Sequence, residues 1–305
     1  MKKIAVMGAT GYIGKSLSYE LMSQGNVYEL FLFSRSQEKL EKIFGNNKAV
    51  QILSYESFNA YDYDVIINCT GINSLADLTK NPLEIFRVTE AMDTMILSYL
   101  ENRPKTLYIN ISTGAVYGDN FAQPVEETSH VILPSNAIKP YDFYSITKMY
   151  TEAKHRAHKK MNIVDLRVFS FFSRFVDTNA KFFMSEVADC IVNKKNFLTT
   201  QDDVIWDYIT PKDLNKLIQI VLKKKKINDS FDVYSKKPIS KFELLSFLEK
   251  KYGLTYSIKT IEIKNTGAIT KKFYYSKNKK AKSLGYEPEF SSLEGIDNEL
   301  KMLHV

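Results

Sequence analysis

The sequence predicts an α/β protein whose larger part is a doubly wound parallel sheet, followed by a smaller α+β region. Three observations support this prediction. Short apolar runs alternate with amphipathic stretches over the first part of the chain, a glycine-rich turn follows the first run, and the alternation loosens after Phe169. Such alternation is typical of a parallel sheet covered by helices on both faces. With 305 residues the chain is long enough for two domains.

The predicted elements follow from the period of the apolar residues. In the first part, strands are predicted at 3–7, 30–33, 49–53, 65–68, 107–111 and 164–168, and helices at 13–24, 37–44, 83–100 and 144–161. After Phe169, helices are predicted at 182–192, 212–222, 278–284 and 293–300, with a further helix after the cap Ser240, and strands at 204–209, 230–233 and 256–263.

Composition and charge exclude several classes of protein. Hydrophobic residues make up 44% and charged residues 25%, which excludes a disordered chain, and no apolar stretch is long enough for membrane insertion. The first apolar run is too short for a signal peptide, and the two cysteines lack metal spacing, so we expect a cytoplasmic protein. The net charge of +7 comes from scattered lysines without a nucleic-acid-binding motif, so we expect no nucleic-acid partner.

A glycine-rich segment directly follows the first predicted strand and opens the first predicted helix. Gly8, Gly11 and Gly14 have the spacing and position of a dinucleotide-binding turn. They permit a sharp turn, the approach of a pyrophosphate and close packing of helix on strand, while the helix N–H groups face the phosphates. We therefore predict a Rossmann-type fold. Its cofactor contacts in this turn are Gly8, Thr10, Gly11, Tyr12, Ile13 and Gly14.

The end of the second predicted strand indicates which dinucleotide binds. NAD enzymes usually place an acid here to hold the ribose 2′-hydroxyl, whereas a cation suits the 2′-phosphate of NADP. This chain has Ser34, Arg35 and Ser36, with no acid between Glu29 and Glu38. Arg35 can grip a phosphate and stack on adenine, and the serines can donate hydrogen bonds. The sequence favours NADP, with NAD as the alternative.

A tyrosine and a lysine four residues apart form the candidate proton-transfer pair. Tyr144 and Lys148 share one helix face, where the ammonium stabilises the phenolate and lowers the pKa of the tyrosine. Other pairs have this spacing, but only Tyr144 lies at a predicted helix start after a polar strand end. That strand end holds Ser112 and Thr113, whose hydroxyls can orient a substrate oxygen. This predicts carbonyl–alcohol interconversion with hydride exchange at a nicotinamide.

These motifs resemble those of the extended short-chain dehydrogenases/reductases, of the NAD-dependent epimerase/dehydratase type that acts on nucleotide sugars. The resemblance covers nearly the whole chain and implies a nucleotide-sugar substrate. It assigns the catalytic hydroxyl to Thr113, beside the pair Tyr144 and Lys148, and implies that Thr70 and Gly71 line the dinucleotide. Phe169, Phe171 and Phe172 follow the last predicted strand of the first part, so we expect one of them to face the nicotinamide or the sugar, and Phe169 is the candidate cofactor contact.

The same resemblance and the alternation of elements predict the organisation of the molecule. We assign residues 1–168 with 204–234 to an NAD(P)-binding Rossmann domain, and residues 169–203 with 235–305 to a smaller α+β substrate-binding domain. Members of this family commonly dimerise through two helices, which correspond here to 83–100 and 144–161. We therefore expect a homodimer.

The chain departs from the family at positions that bear on the reaction. Sugar 4,6-dehydratases carry an Asp-Glu pair after the catalytic threonine, where this chain has Gly114 and Ala115, so dehydration is not expected. Trp206 replaces an arginine that often contacts the nucleotide diphosphate, and Lys181 or Arg174 is a candidate for that charge. The candidate substrate contacts are Thr113, Gly114, Ser170, Lys181 and Trp206.

Three functions remain open at this point. The first is an NADPH-dependent ketoreductase acting on a nucleotide-linked keto-(deoxy)sugar for surface polysaccharide, favoured by Arg35 and the missing acid pair. The second is an epimerase that retains its NAD and uses the same residues. The third is a non-catalytic dinucleotide-sensing protein, which the presence of both Tyr144 and Lys148 disfavours.

Two histidines complete the candidate residues. His155 and His158 lie three apart on the helix after Lys148, without a cysteine or carboxylate at ligand spacing. We expect them on a solvated helix face and predict no metal site.

Overall fold

A central sheet with its helices forms the larger part of the molecule. A computed structural model describes residues 1–25, 27–45, 47, 49–71, 81–119, 121–133, 135–259 and 272–303, apart from the Tyr141 side chain. The strands are β1 (Lys2–Met7), β2 (Tyr28–Phe33), β3 (Val50–Leu53), β4 (Val65–Asn68), β5 (Leu107–Thr113), β6 (Asn162–Val168), β7 (Ser170–Phe171), β8 (Asn196–Thr200), β9 (Ile205–Trp206), β10 (Tyr208–Ile209), β11 (Asn228–Val233), β12 (Ile239–Ser240), β13 (Thr255–Lys259) and β14 (Phe273–Tyr274). The helices are α1 (Tyr12–Met22), α2 (Gln37–Phe44), α3 (Leu83–Glu101), α4 (Pro140–Ala157), α5 (Phe183–Val192), α6 (Pro211–Val221), α7 (Lys241–Tyr252) and α8 (Ser292–Lys301).

The large sheet has seven parallel strands in the order β11-β6-β5-β4-β1-β2-β3. The strand order reverses between β1 and β4, and the ligands of open parallel sheets bind at the carboxyl ends of the strands near such a point. The register places Met7 of β1 between Phe33 of β2 and Asn68 of β4, so these strand ends lie side by side. The predicted doubly wound sheet is confirmed.

Helices cover both faces of this sheet. On one face, Leu17 of α1 and Leu217 of α6 belong to the same buried cluster as Val6 of β1. On the other face, Leu97 of α3 packs in a cluster with Ala5 of β1. Because apolar side chains are buried on both sides, the strands are continuous apolar runs rather than alternating ones.

The later elements form a smaller α+β region with its own core. β8 pairs with β13, β9 lies between β12 and β14, and β10 pairs with β7. Val187 of α5, Leu248 of α7 and Ile296 of α8 are buried in one cluster with Phe197 of β8. The strand predicted at 204–209 is split into β9 and β10, which pair within the smaller sheets. The exact division into two domains stays a prediction.

Some predicted boundaries differ from the structure. α4 begins at Pro140, because proline suits the first helical position and the Asp142 carboxylate accepts the backbone N–H of Lys139 at 2.8 Å. Tyr144 therefore lies in the second turn rather than at the helix start. The strand predicted at 256–263 corresponds to β13 up to Lys259, and its last residues lie outside the described residues.

Candidate active site

The turn between β1 and α1 fits a dinucleotide phosphate. Gly8 has a φ of 74°, which residues with a side chain rarely adopt. A Cβ atom on Gly14 would lie 2.3 Å from the Gly8 carbonyl oxygen, so glycine allows α1 to start this close to the strand end. Gly11 caps α1 without a side-chain hydrogen bond, which leaves the N–H groups of the first turn for a ligand.

Tyr12 and Ile13, the next predicted contacts, begin α1 itself. The Tyr12 hydroxyl accepts the Ser173 N–H at 2.7 Å, and its ring packs edge-on against Phe171 at 5.2 Å. Ile13 packs partly buried against the sheet core. Tyr12 therefore ties the glycine turn to the segment after β7, which begins the smaller region.

Hydroxyl groups line the end of β2 beside the glycine turn. The Thr10 and Ser34 hydroxyl oxygens are 2.9 Å apart, and the Ser36 backbone N–H donates to Ser34 Oγ at 3.3 Å. Ser36 Oγ in turn accepts the Lys39 N–H at 3.2 Å and caps α2. Ser34 is therefore buried and structural, whereas Ser36 and the neighbouring Arg35 are exposed.

Charged side chains of both signs surround this strand end, since the acid Glu38 lies beside Lys39 on the first turn of α2. Arg35 is exposed at the tip of the strand, and Lys39 follows it on the first turn of α2. Lys15 of α1 lies near Lys39, and burial together with this second ammonium lowers the pKa of Lys15. The Lys15 ammonium also lies 4.6 Å from the centre of the Phe175 ring. This arrangement can hold an anionic group at the position predicted for the 2′-phosphate.

The end of β4 brings Thr70 and Gly71 to the same edge. Asn68 Oδ1 accepts both the backbone N–H of Thr70 at 3.0 Å and its hydroxyl at 2.5 Å, which fixes the turn after the strand. A Cβ atom on Gly71 would lie 3.8 Å from Lys148 Nζ. The Lys148 ammonium is therefore next to the loop that the sequence assigned to the dinucleotide.

The structure brings the three predicted catalytic residues together. Thr113 at the end of β5 hydrogen-bonds to the Tyr144 hydroxyl, and Lys148, one turn further along α4, reaches the Ile111 carbonyl at 3.5 Å. Ser112 is directed elsewhere, because its hydroxyl donates to Glu152 Oε1 at 2.6 Å. The neighbouring residues on the strand therefore have different partners, and Thr113 is the one that faces the tyrosine.

The protonation of this pair depends on its burial. Burial raises the pKa of Tyr144, and the hydrogen bond from Thr113 opposes that rise. The expected lowering of this pKa by the Lys148 ammonium is therefore not found, because the cost of burying the phenolate dominates. Burial lowers the pKa of Lys148, and the carboxylates of Asp165 and Glu152 oppose the decrease. A phenol and an amine held in this way can exchange a proton with a substrate oxygen.

Phe169 fills the space beside Gly114. A Cβ atom on Gly114 would lie 2.4 Å from the Phe169 ring, and both residues are buried. An acidic side chain at position 114, as in the dehydratases, would collide with this ring. Phe169 packs next to Thr113, the candidate catalytic threonine, rather than on the glycine turn.

The remaining predicted substrate contacts are less closely grouped. Ser170 is half-buried on β7, and Trp206 is half-buried on β9 with its ring 4.6 Å from that of Phe183. Lys181 is exposed ahead of α5. The Arg174 guanidinium pairs with Glu299 at 2.9 Å, so its charge is already engaged within the chain.

Tyr274 lies beside the candidate site, and the sequence did not reveal it. It lies on β14, and its hydroxyl hydrogen-bonds to Thr113 beside Tyr144. Its ring contacts Phe121 and Phe169 at 4.7 and 5.6 Å between centres. No motif marks this position; the pairing of β14 with β9 and the hydrogen bond from the Phe273 N–H to the Phe121 carbonyl bring it to the site.

A buried ionic network joins β6, α4 and β11 next to the site. Arg167 of β6 pairs with Glu152 of α4 at 2.6 Å, and its Nη1 donates to the Tyr117 hydroxyl at 2.9 Å. Tyr117 donates to Asp232 of β11 at 2.9 Å. Tyr117, in the turn after β5, is therefore anchored to β6 and β11.

The sheet, the glycine turn and the tyrosine–lysine pair define a dinucleotide-binding α/β protein. The chain belongs to the NAD dependent epimerase/dehydratase family, since the model of that family matches residues 4–235. This confirms the resemblance found in the sequence.

Individual relatives are distant. UDP-glucuronic acid decarboxylase 1 of Danio rerio is 26% identical over 188 residues, which are 57% of this chain and 42% of that protein. The chain therefore matches less than half the length of this curated relative.

Solved structures agree over nearly the full length. UDP-glucuronic acid 4-epimerase from Bacillus cereus, in complex with UDP-glucuronic acid and NAD, is 20% identical with a TM-score of 0.79, covering 99% of this chain and 100% of that chain. UDP-glucose 4-epimerase from Thermotoga maritima with UDP-glucose is 18% identical with a TM-score of 0.79, covering 98% of this chain and 97% of that chain. At these identities the likeness shows the fold.

The described residues contain neither a membrane-spanning helix nor a cluster of metal ligands. Among them, no helix combines the length and apolar character that a bilayer crossing requires. In the same part of the chain, no group of three or more His, Cys, Asp or Glu side chains is arranged to hold a metal ion.

Proposed function

We propose that the chain is an NAD(P)-dependent oxidoreductase that acts on a nucleotide-activated sugar. The observation that carries the proposal is the assembly of Thr113, Tyr144 and Lys148 at the sheet edge, with the lysine ammonium next to Gly71. The glycine turn fits a dinucleotide phosphate. The sugar class is supported by the UDP-glucuronic acid and UDP-glucose in the similar structures from Bacillus cereus and Thermotoga maritima.

In this proposal each catalytic side chain has a separate task. The nicotinamide, when bound, supplies or accepts the hydride at the substrate carbon. Tyr144 gives a proton to the substrate oxygen in reduction and takes it back in oxidation. Thr113 holds that oxygen by a hydrogen bond. Lys148, whose ammonium lies next to Gly71, would hold the dinucleotide and place a positive charge near the Tyr144 phenolate.

Within this class we favour NADPH-dependent ketoreduction of a nucleotide-linked keto-(deoxy)sugar. Arg35, Lys39 and Lys15 gather positive charge where a 2′-phosphate would bind. The Phe169 ring occupies the place of the dehydratase acid beside Gly114, which argues against dehydration.

An epimerase with retained NAD is the second candidate. It would use the same three catalytic residues, and the NAD in the Bacillus cereus 4-epimerase structures favours it. The reductase must exchange its oxidised cofactor for NADPH after each turnover. The epimerase keeps its NAD bound, because epimerisation has no net redox change.

The deciding experiment identifies the nicotinamide. Purified protein is denatured, the released cofactor is identified by mass spectrometry, and thermal shifts are compared with added NADP and NAD. Ligand at 100 times its dissociation constant should add about 2.7 kcal/mol of stability. Loose binding with a preference for NADP supports the reductase, whereas tightly retained NAD supports the epimerase.

Turnover is then tested with NADPH and a panel of UDP- and dTDP-linked keto sugars. The Tyr144→Phe protein should keep its cofactor thermal shift but lose turnover by about 10²–10⁴, the usual effect of a lost general acid. Near-normal turnover by this variant would remove Tyr144 from the mechanism and overturn the proposal.

A further inference from the structure

A row of buried hydrogen bonds leads from the end of β4 to helix α3. Asn68 is the last residue of β4, and its Nδ2 donates to the Tyr108 hydroxyl of β5 at 3.0 Å. The Tyr108 hydroxyl donates in turn to Asp93 Oδ1 of α3 at 3.0 Å. Tyr108 and Asp93 are fully buried and Asn68 is 5% exposed, so water does not compete for these two bonds.

The charge of Asp93 gives this row one direction. Burial raises the pKa of Asp93, but the hydrogen bonds with His155 and Lys154 outweigh it and keep the pKa below its ordinary value. The ionised carboxylate can only accept. Burial and the Asp93 charge raise the pKa of Tyr108, so the phenol keeps its proton and donates it to Asp93. The Tyr108 oxygen then serves Asn68 as an acceptor, and the amide nitrogen of Asn68 is the group that donates to it.

This direction fixes the side-chain amide of Asn68. With Nδ2 bonded to Tyr108, Oδ1 faces the turn after β4, where it accepts the Thr70 N–H at 3.0 Å and the Thr70 hydroxyl at 2.5 Å. A flipped amide would set its NH₂ group against the Thr70 N–H, which would leave two donors without an acceptor. Tyr108 therefore decides which end of the Asn68 amide meets Thr70.

The turn held by Asn68 adjoins two parts of the candidate site. A Cβ atom on Gly8 would lie 3.1 Å from the Thr70 methyl group, so Thr70 packs directly on the glycine turn. A Cβ atom on Gly71 would lie 3.8 Å from Lys148 Nζ. A displacement of the Thr70–Gly71 turn would therefore change the surface on which a dinucleotide binds.

We propose that Tyr108 is a positioning residue for the dinucleotide: through Asn68 it holds the Thr70–Gly71 turn against the glycine turn. The inference rests on the proposed function only in treating this turn as part of the dinucleotide site. Hydrogen bonds in a buried row strengthen one another. Without the Tyr108 hydroxyl, Asn68 Nδ2 would be buried without this acceptor and the amide could rotate, so Thr70 would lose its fixed partner.

The test combines two measurements on the unaltered chain, Tyr108→Phe and Tyr63→Phe. Hydrogen exchange of the Thr70 amide is followed by NMR without ligand, and the affinities for NADP and NAD are measured by calorimetric titration. Tyr63→Phe is the matched control. Tyr63 is buried in the same apolar cluster as Tyr108, and its hydroxyl donates to the Phe58 carbonyl at 2.8 Å. Both variants thus lose one buried hydroxyl, but only Tyr108 bonds to Asn68.

In Tyr108→Phe, the Thr70 amide should exchange about 2- to 10-fold faster, the effect of one net hydrogen bond. Both dinucleotides should bind more weakly by about the same factor, so that their affinity ratio stays unchanged. Tyr63→Phe should match the unaltered chain in both measurements. In an Asn68→Ala background, Tyr108→Phe should weaken binding no further, because the hydroxyl acts through that amide.

Unchanged Thr70 exchange in Tyr108→Phe, or an equal increase in Tyr63→Phe, overturns the inference. If Tyr108→Phe does not fold, Asp93→Asn replaces it with the same expected and contrary results, since it keeps the side-chain shape but removes the charge that orients Tyr108. A chain that binds neither dinucleotide rejects the proposed function and with it this role in binding. Dinucleotides that bind Tyr108→Phe and Tyr63→Phe equally well overturn the inference alone.

Discussion

Arg35 is the residue on which the choice of cofactor depends. It is exposed at the end of β2. Its neighbours are engaged within the chain, since Ser34 hydrogen-bonds to Thr10 and Ser36 accepts the backbone N–H of Lys39. Arg35→Ala should weaken NADP binding by about 10- to 100-fold, the value of a charge-assisted hydrogen bond, with little change for NAD. Calorimetric titration with both dinucleotides measures this.

The matched control for that titration is Lys42→Ala, an exposed cation further along α2. It changes the net charge equally without touching the strand end. Equal losses of NADP and NAD affinity in Arg35→Ala, or equal effects of the two variants, would show that Arg35 does not contact the 2′-phosphate.

Gly114 and Phe169 form a tightly packed pair that can be tested by stability. A Cβ atom at position 114 would lie 2.4 Å from the Phe169 ring, so Gly114→Ala should lower the free energy of unfolding by about 1–3 kcal/mol. In a Phe169→Leu background the same substitution should cost less, because the ring is gone. Urea unfolding of the unaltered chain, the two single variants and the double variant measures the energetic coupling between positions 114 and 169. An equal loss of stability from Gly114→Ala in both backgrounds would contradict the predicted contact.

At the scale of elements, a buried charge network joins α3, α4 and β6. His155 Nε2 lies 2.7 Å from Asp93 of α3, and His155 Nδ1 lies 2.8 Å from Asp165 of β6. Lys154 Nζ also reaches Asp93 at 2.7 Å. The prediction of a solvated helix face is therefore wrong for His155, which is fully buried. Its carboxylate partners could not be recognised from sequence, because they come from two other elements.

This network makes the stability of the fold depend on pH. Burial lowers the pKa of His155, but the hydrogen bonds to Asp165 and Asp93 outweigh it and raise the pKa to about 9. The unfolded value is about 6.5. The stabilisation is therefore complete below about pH 6.5 and is lost as the pH rises through 9, a change on the order of 3 kcal/mol.

Urea unfolding at pH 7 and pH 9.5 measures this effect. The difference in unfolding free energy between the unaltered chain and His155→Gln should shrink at the higher pH. His158→Gln, at the end of the same helix, serves as the control and should show no such change. A constant difference for His155→Gln would mean that the histidine is neutral in the fold.

The sequence predicted most elements because their apolar period is strong. The predicted helix at 37–44 and strand at 65–68 agree with α2 and β4. β8 was missed, since only alternate residues of it are buried and its sequence is largely polar. β14 was missed because it has only two residues and exists through its pairing with β9.

At the scale of the whole molecule, some residues of the candidate site could be predicted from the sequence and others could not. The glycine turn, the Thr113 strand end and the Tyr144–Lys148 pair are local patterns, so their roles could be proposed from sequence alone. Tyr274 and the network of Arg167 with Asp232 depend on contacts between distant segments. Such contacts leave no periodic signal, and they become visible only when the fold brings the segments together.

The last expectation concerns assembly, which the family resemblance predicts to be a homodimer through α3 and α4. These helices pack side by side, with Phe86 and Phe143 rings 5.7 Å apart. Leu83 of α3 and Tyr150 of α4 are 59% and 55% exposed. A second copy of this face would cover them.

Light scattering at micromolar concentration should therefore give twice the chain mass of 35.1 kDa. A Leu83→Glu, Tyr150→Glu double variant should shift the protein to a monomer, because two carboxylates would be buried without partners at the interface. Leu198→Glu is the control, since Leu198 is 64% exposed on β8, away from these helices. A monomer from the unaltered chain refutes the dimer. A dimer that survives the double variant but not Leu198→Glu moves the interface to the smaller region.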